Sequence, residues 1–211
     1  MRYSALLLAL LAAGCVGETQ GPAAAVPATA AVSTWRDVAT DADRERVRKW
    51  RNAWVKALEQ AKAGGHGADV ASEGVLLDPD AALPDAAPPP GDYRCRTLKV
   101  GTRGGGSLAW VAYPFFACRI AAAPEGGTFE FAKLSGSQRP LGRFYPDSRT
   151  RLVFLGTLQL GDEQGALRYG HDRDRDMAGL VERIGERRWR LVFPYPAFES
   201  TLDVIELLPK E

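Results

Sequence analysis

Residues 176–194 read DMAGLVERIGERRWRLVFP. Two runs of apolar, β-branched and aromatic residues flank Gly185-Glu186, and the second run sets Trp189, Leu191 and Phe193 against Arg188, Arg190 and Val192. A period of two on either side of a tight turn signal is the pattern of paired antiparallel strands. Working outward, the same texture begins at Asp92 and reaches nearly to the C-terminus, with alternation again in Phe129 and Phe131 against Thr128 and Glu130. Strands are predicted near 92–100, 108–120, 128–134, 140–145, 151–160, 165–170, 176–184, 187–194 and 201–207. Links such as Pro146-Asp147-Ser148 and Gly161-Asp162-Glu163-Gln164-Gly165 leave no room for crossover helices. The expected fold is therefore mainly β, an antiparallel meander of eight or nine strands closed as a barrel or folded as a sandwich.

Upstream, residues 41–62 read DADRERVRKWRNAWVKALEQAK, with Val47, Trp50, Trp54, Ala57, Leu58 and Ala61 at three-and-four spacing. This predicts one amphipathic helix packed on the β domain, capped by Thr40 or Asp41 and ended by Gly64-Gly65. Trp50 and Trp54 lie one turn apart on its apolar face and are expected to pack. Residues 67–91 predict at most one helical turn near Ala68 to Glu73, then a strap ending Pro88-Pro89-Pro90-Gly91.

The N-terminus carries Arg2, the apolar run Ala5 to Ala13, and then Ala12-Ala13-Gly14-Cys15. A basic start, a short apolar stretch and small residues before a cysteine predict a lipoprotein signal peptide over 1–14 and lipid on Cys15. Residues 15–33 then form a tether, and 34–211 a single domain. The apolar run is too short to span a bilayer. The expected address is the cell envelope, anchored by lipid at the periplasmic face of the outer membrane; Val16, rather than an aspartate after the cysteine, leans toward that membrane. Arg2 is the signal's one charge, so the mature chain balances 26 basic residues against 26 acidic ones. No basic surface for nucleic acid is indicated.

Cys95 and Cys118 remain as an even pair in an oxidising compartment and predict a disulfide, with two buried thiols as the alternative. If Gly104-Gly105-Gly106 turns a hairpin, counting outward from the Gly106-Ser107 bond sets Cys95 opposite Cys118. Such a bridge is worth about 3 kcal/mol.

Motifs for chemistry are sparse. The two histidines, His66 and His171, have no nucleophile in an evident pattern beside them, and a Gly-x-Ser-x-Gly elbow is absent. His171-Asp172-Arg173-Asp174-Arg175-Asp176 starts like a calcium loop, but Met177 stands at the turn glycine and Arg183 at the bidentate glutamate, so no metal is assigned. No cofactor motif follows the glycines around Arg103. Leu134-Ser135-Gly136-Ser137-Gln138-Arg139-Pro140 gathers hydroxyl, amide and guanidinium groups between two strands. Ser135, Ser137, Gln138 and Arg139 are thus the candidate recognition residues for a carboxylate or sugar, against the alternative that they satisfy their own loop. Glu199 and Asp203 flank Ser200, with no distance set by their spacing.

The segments RKWRNAWVKAL, LLDPDAALP, GDYRCR, KLSGSQRP, LGTLQLGDE, RDMAGLVERIG and PYPAFESTLDVIEL make the chain resemble the bacterial domain-of-unknown-function family 4893, from Asp43 almost to the C-terminus. The resemblance implies an envelope protein and brings no catalytic residues. The chain is more faintly similar to barrel lipoproteins that inhibit C-type lysozyme, through Tyr93-Arg94-Cys95, Ser135-Gly136 and Gly161-Asp162-Glu163. It departs from them at Arg139, where their motif has tyrosine, and in lacking their lysine-bearing second motif.

Three roles compete. The first is a non-catalytic module holding a small apolar ligand in a barrel lined by Phe129, Phe131, Leu191 and Phe193, against a filled core. The second is a protein-interaction or inhibitory lipoprotein acting on an envelope or foreign protein through loops such as 135–140. The third, ranked last, is a hydrolase whose acids and histidines converge only in the fold.

Overall fold

Every strand pairing is antiparallel, the consequence of strands joined by short links. The structure, a computed structural model, describes residues 33–104, 108–124 and 127–210. The expected signal peptide, the Cys15 lipidation site and nearly all of the expected tether lie outside the described residues, as does the Gly105 to Ser107 part of the expected turn. Among the described residues nine strands follow four short helices: β1 Gly91–Val100, β2 Trp110–Ala112, β3 Phe116–Ala122, β4 Phe129–Lys133, β5 Gln138–Pro146, β6 Leu152–Leu160, β7 Asp176–Gly185, β8 Arg188–Pro194 and β9 Leu202–Pro209. One edge of β1 pairs with β3 through Gly91 to Cys95 and with β2 through Leu98 to Val100; the other pairs with β9 through Tyr93 to Val100. Eight strands thereby close into a barrel, and β2 is an extra strand beyond the end of β3.

Three strand expectations change. Residues 108–120 split into β2 and β3 around Tyr113-Pro114-Phe115, because Pro114 has no N–H to give a ladder. That break shifts the register: Cys95 faces Phe116, and Cys118 faces Tyr93. The cysteines are therefore diagonal rather than directly opposite, yet they form the disulfide, with Cα atoms 5.9 Å apart. Residues 165–170 form no strand, because β6 and β7 pair directly from Leu152 with Val181 to Thr157 with Asp176. The excluded segment is put to another use. Tyr169 Oη donates to Asp43 Oδ2 at 2.6 Å and accepts from Thr40 N at 3.1 Å, fastening the start of the helical layer.

The inner face is largely packed. Phe131, Phe144, Phe154 and Phe193 interlock with ring centroids 5.4 to 6.0 Å apart, beside the buried disulfide, Tyr93, Trp189 and Leu191. Between β5 and β6 the wall pinches where Gly142 faces Gly156. A Cβ on Gly156 would lie 2.2 Å from Leu141 O and 2.5 Å from the Phe154 ring, so only glycine admits that ring to the wall.

The outer face of the barrel is covered too. Val153, Leu155, Leu180, Val192 and Val204 are buried against Val47, Ala53, Trp54 and Ala57. That second covering explains why β6 is buried continuously from Leu152 to Leu158 and shows no alternation. The helical layer comprises α1 Trp35–Val38, α2 Asp41–Arg48, α3 Trp50–Ala63 and α4 Gly67–Ser72, followed by a 3-10 turn at Gly74–Leu77. The single helix expected over 41–62 is broken at Lys49 (φ −89°, ψ 13°). The break lets the apolar stripe turn with the curved wall, with α2 over β7 and α3 across β1, β8 and β9. Trp54 is wholly buried, stacks edge-on to Trp50 at 6.1 Å, and donates Nε1–H to Leu77 O, the packing role expected of the pair.

Candidate functional site

The aromatic plug leaves space at one end of the barrel, a cavity of about 220 Å³. On β1, the inward parity that buries Tyr93 and Cys95 continues through Thr97 to Lys99; on β4, that of Phe131 continues to Lys133. Both lysines thus project into the mouth, where the interior turns from apolar to polar. Met177, Leu158, Phe193 and Ile205 form the apolar floor, Phe116 and Pro140 continue it up the wall, and Tyr113 and Phe198 stand half-exposed at the rim.

The two lysines have different surroundings. Lys99 Nζ lies 3.0 Å from Glu199 Oε2 and 3.2 Å from Asp203 Oδ2. Burial works against its charge, but the two carboxylates outweigh that and hold its pKa above the ordinary lysine value. Asp203 also accepts from Ser200 Oγ, and its burial pushes its carboxyl upward against the pull of Lys99. Lys133 is only 7 % exposed, and among the described residues no carboxylate pairs with it. Its ammonium donates to Gln138 O at 2.8 Å and stands 4.1 Å from the centre of the Phe116 ring. Burial, then the charges of Lys99 and Arg139, bring its pKa from 10.5 down to about 8.

The loop joining β8 to β9 delivers Glu199 to Lys99. Tyr195 (φ 49°) and Glu199 (φ 68°) both occupy the left-handed region, which disfavours non-glycine residues. The arrangement is held by Arg103, whose Nη1 donates to Pro196 O at 2.6 Å and Ala197 O at 2.8 Å, while Arg103 N donates to Glu199 O at 3.0 Å. Gln138 Nε2 reaches Glu199 Oε1 at 3.4 Å, joining the β4–β5 side to this loop.

The candidate recognition residues divide. Ser137 and Gln138 line the mouth. Ser135 Oγ accepts from Ala117 N on β3, and Arg139 donates to the carbonyls of Gly136 in its own loop and of Leu160 and Gly161 at the end of β6, so these two bind backbone. Glu199, Ser200 and Asp203 converge with Lys99, a meeting that their spacing alone did not reveal. His66 pairs with Asp69 beside α4. The 171–176 segment is a turn knotted on Asp172, which accepts from Asp174 N, Arg175 N and Asp176 N. Among the described residues no group of three histidine, cysteine or acidic side chains is placed to hold a metal ion. Lys99 and Lys133 were the residues that reading for motifs missed. Their signal was parity, since in GDYRCRTLKV and FEFAK each shares a face with inward aromatic residues.

A family model described as a domain of unknown function (DUF4893) matches residues 35–207. No curated protein and no solved structure matches the chain.

Proposed function

The chain belongs to the DUF4893 family, and we propose that it is a non-catalytic, lipid-anchored envelope protein that binds a small ligand in the mouth of its barrel. The cavity carries this reading. It is a recess of about 220 Å³ with an apolar floor and a polar wall, built on rigid strands, and two strained residues are maintained in the loop beside it. The aromatic plug fills the interior below the mouth, which supports a site at the end of the barrel rather than along its axis. Ser200, Asp203, Glu199 and Lys99 are bound to one another, an arrangement suited to positioning a ligand. The disulfide supports an oxidising compartment, in keeping with the signal-like N-terminus and with lipid on Cys15.

The test is native mass spectrometry of the mature protein released from the envelope in mild detergent, with a denatured sample alongside. The denatured mass should show lipid on Cys15, and the native one a discrete non-covalent increment lost on denaturation. A bare native chain would count against ligand binding and turn attention to protein partners at the rim of Tyr113 and Phe198. A denatured mass without lipid would remove the anchor from the proposal.

A further inference from the structure

We infer that the ligand bound in the mouth is a small amphipathic anion, an organic acid whose carboxylate pairs with Lys133 and whose apolar body lies on Phe116, Leu158, Met177 and Phe193. This rests on the cavity reading above and specifies its chemistry.

The argument begins with the charges of the mouth. Its lining holds Lys99, Lys133 and Arg46 with Asp174, Asp176, Glu199 and Asp203. Most are already matched. Lys99 takes Glu199 and Asp203, and Arg46 takes Asp43 at 3.0 Å and the Asp176 carbonyl at 3.1 Å. Asp176 Oδ1 accepts from Gly170 N at 2.8 Å. Asp174 stands exposed on the outer lip, where water screens it. Lys133 is left, a cation buried to 7 % exposure whose partners are one carbonyl and one aromatic face. A buried charge normally has a counter-ion, and a chain selected only for folding would replace such a lysine with methionine or leucine. Keeping it at an open cavity is explained by an anion arriving from outside.

The geometry suits a compact oxyanion head. Ser137 and Gln138 bring a hydroxyl and an amide to the same side of the mouth as Lys133. Lys99 on the adjoining wall is matched by Glu199 and Asp203, so the head group is left to Lys133. Below them the surface is aromatic and aliphatic, so the complementary molecule carries one charge at one end.

The proposal is tested by isothermal titration of the full mature chain carrying Cys15→Ser. The ligands are 4-phenylbutyrate, 4-phenylbutanol and 4-phenylbutylamine, which share a body and differ in the charge of the head. At pH 7 the acid should bind at least tenfold more tightly than the alcohol, and the amine most weakly. In Lys133→Met the acid should lose that advantage while alcohol binding changes less than threefold. Lys133→Gln provides the same comparison if the methionine variant fails to fold. Equal binding of acid and alcohol, or a preference that survives loss of Lys133, would overturn the anion assignment and leave the cavity reading standing. No binding of any of the three would overturn the assignment as well, while the native mass measurement reports separately on the cavity. A lower melting temperature in Lys133→Met with the acid preference intact would make Lys133 a structural group and sink the inference.

Discussion

Lys99 and Lys133 enter the same barrel mouth from β1 and β4, and among the described residues only Lys99 meets carboxylates there. Two buried cations of similar exposure therefore carry opposite energetic signs. The charge of Lys99 is stabilised by Glu199 and Asp203, whereas that of Lys133 is opposed by burial and by Lys99 and Arg139. A group that costs stability while facing an open cavity is the usual signature of a site kept for function.

The cost has a pH window. Lys133 titrates near 8 in the folded chain and at 10.5 when exposed. Below pH 8 both states carry the proton, and the folded state bears the whole penalty, on the order of 3 kcal/mol at 1.36 kcal/mol per unit. Between pH 8 and 10.5 the folded lysine is neutral while the unfolded one is still charged, so the penalty is relieved as pH rises. The groups facing Lys133 are Lys99 on β1, Arg139 on β5, and Asp203 and Glu199 across the mouth. Lys133→Met should therefore exceed the parent chain in stability at pH 7, with the difference shrinking toward pH 10.5. Urea midpoints of both chains across that range check this, and a constant difference would show that the ammonium is not strained.

Anion affinity should follow the same group in the opposite sense. The free lysine titrates near 8, and a bound carboxylate raises its pKa. Affinity for 4-phenylbutyrate should hold below pH 8 and weaken by up to tenfold for each unit above it, until the pKa of the bound form is passed. Titrations at pH 7, 8 and 9 with the neutral alcohol as control read this directly; a flat profile would exclude Lys133 as the partner of the head group.

How far the sequence led depended on whether a feature was local. The alternation in β4 needed only neighbouring residues, as did the residue alternation in β8, although the fold buries β8 continuously from Trp189 to Pro194, and the helical stripe from Val47 to Ala61 was as local. The closure of β1 on β9 depends on residues more than a hundred positions apart, and that pairing converts a meander into a barrel. The continuous burial of β6 hides its inward face, because Val153 and Leu155 face the helices while Phe154 faces the plug. The mouth was the hardest part to see. A lysine at the end of a strand looks like a solvated rim residue until Phe116, Gln138 and the 195–201 loop are placed around it.

A second buried charge belongs to the fold rather than the site. Arg190 lies under α3 with its guanidinium 4.6 Å from the Trp54 ring centre; its Nε donates to Glu182 Oε2 at 2.8 Å. Its Nη1 donates to the carbonyls of Val75, Leu76 and Asp78, so one side chain ties β7, β8 and the 3-10 turn together. Removing Glu182 leaves the buried guanidinium without its carboxylate, and removing Arg190 leaves Glu182 with Arg151 alone, whose Nε donates to its other oxygen at 2.5 Å. Arg190→Met and Glu182→Gln should each cost about 3 to 5 kcal/mol. The double variant Arg190→Met/Glu182→Gln should cost clearly less than the sum of the two single changes, measured by urea denaturation. Additive losses would mean that the pair is not coupled.

The pinch between β5 and β6 makes a steric prediction. Gly156→Ala places a methyl 2.2 Å from Leu141 O and 2.7 Å from Gly142 Cα, where the paired backbones cannot separate without moving Phe154. The expected loss is about 1 to 3 kcal/mol. Gly165→Ala, at a glycine with nothing within 4 Å, should change stability by less than about 0.5 kcal/mol. Equal effects at the two positions would show that the pinch is not tight.

The disulfide crosses one of the short seams of the barrel. β1 and β3 share only the pairs from Gly91–Ile120 to Cys95–Phe116, whereas β1 and β9 pair from Tyr93 to Val100. The bridge crosses that short seam and closes a loop spanning 23 positions, which restricts the unfolded chain by about 3 kcal/mol. Replacing both cysteines with alanine should lower stability by roughly that amount and accelerate hydrogen exchange first in the amides of the β1–β3 seam, which then loses its covalent tie. Both sulfurs are buried, Cys95 completely and Cys118 to 1 % exposure, so a reductant reaches the bond only when the seam opens. Thiol labelling of the native protein under dithiothreitol distinguishes the size of that opening. A labelling rate that rises steeply with low urea means the whole barrel unfolds first; a rate indifferent to urea means the seam parts by itself and the barrel has a hinge between β1 and β3.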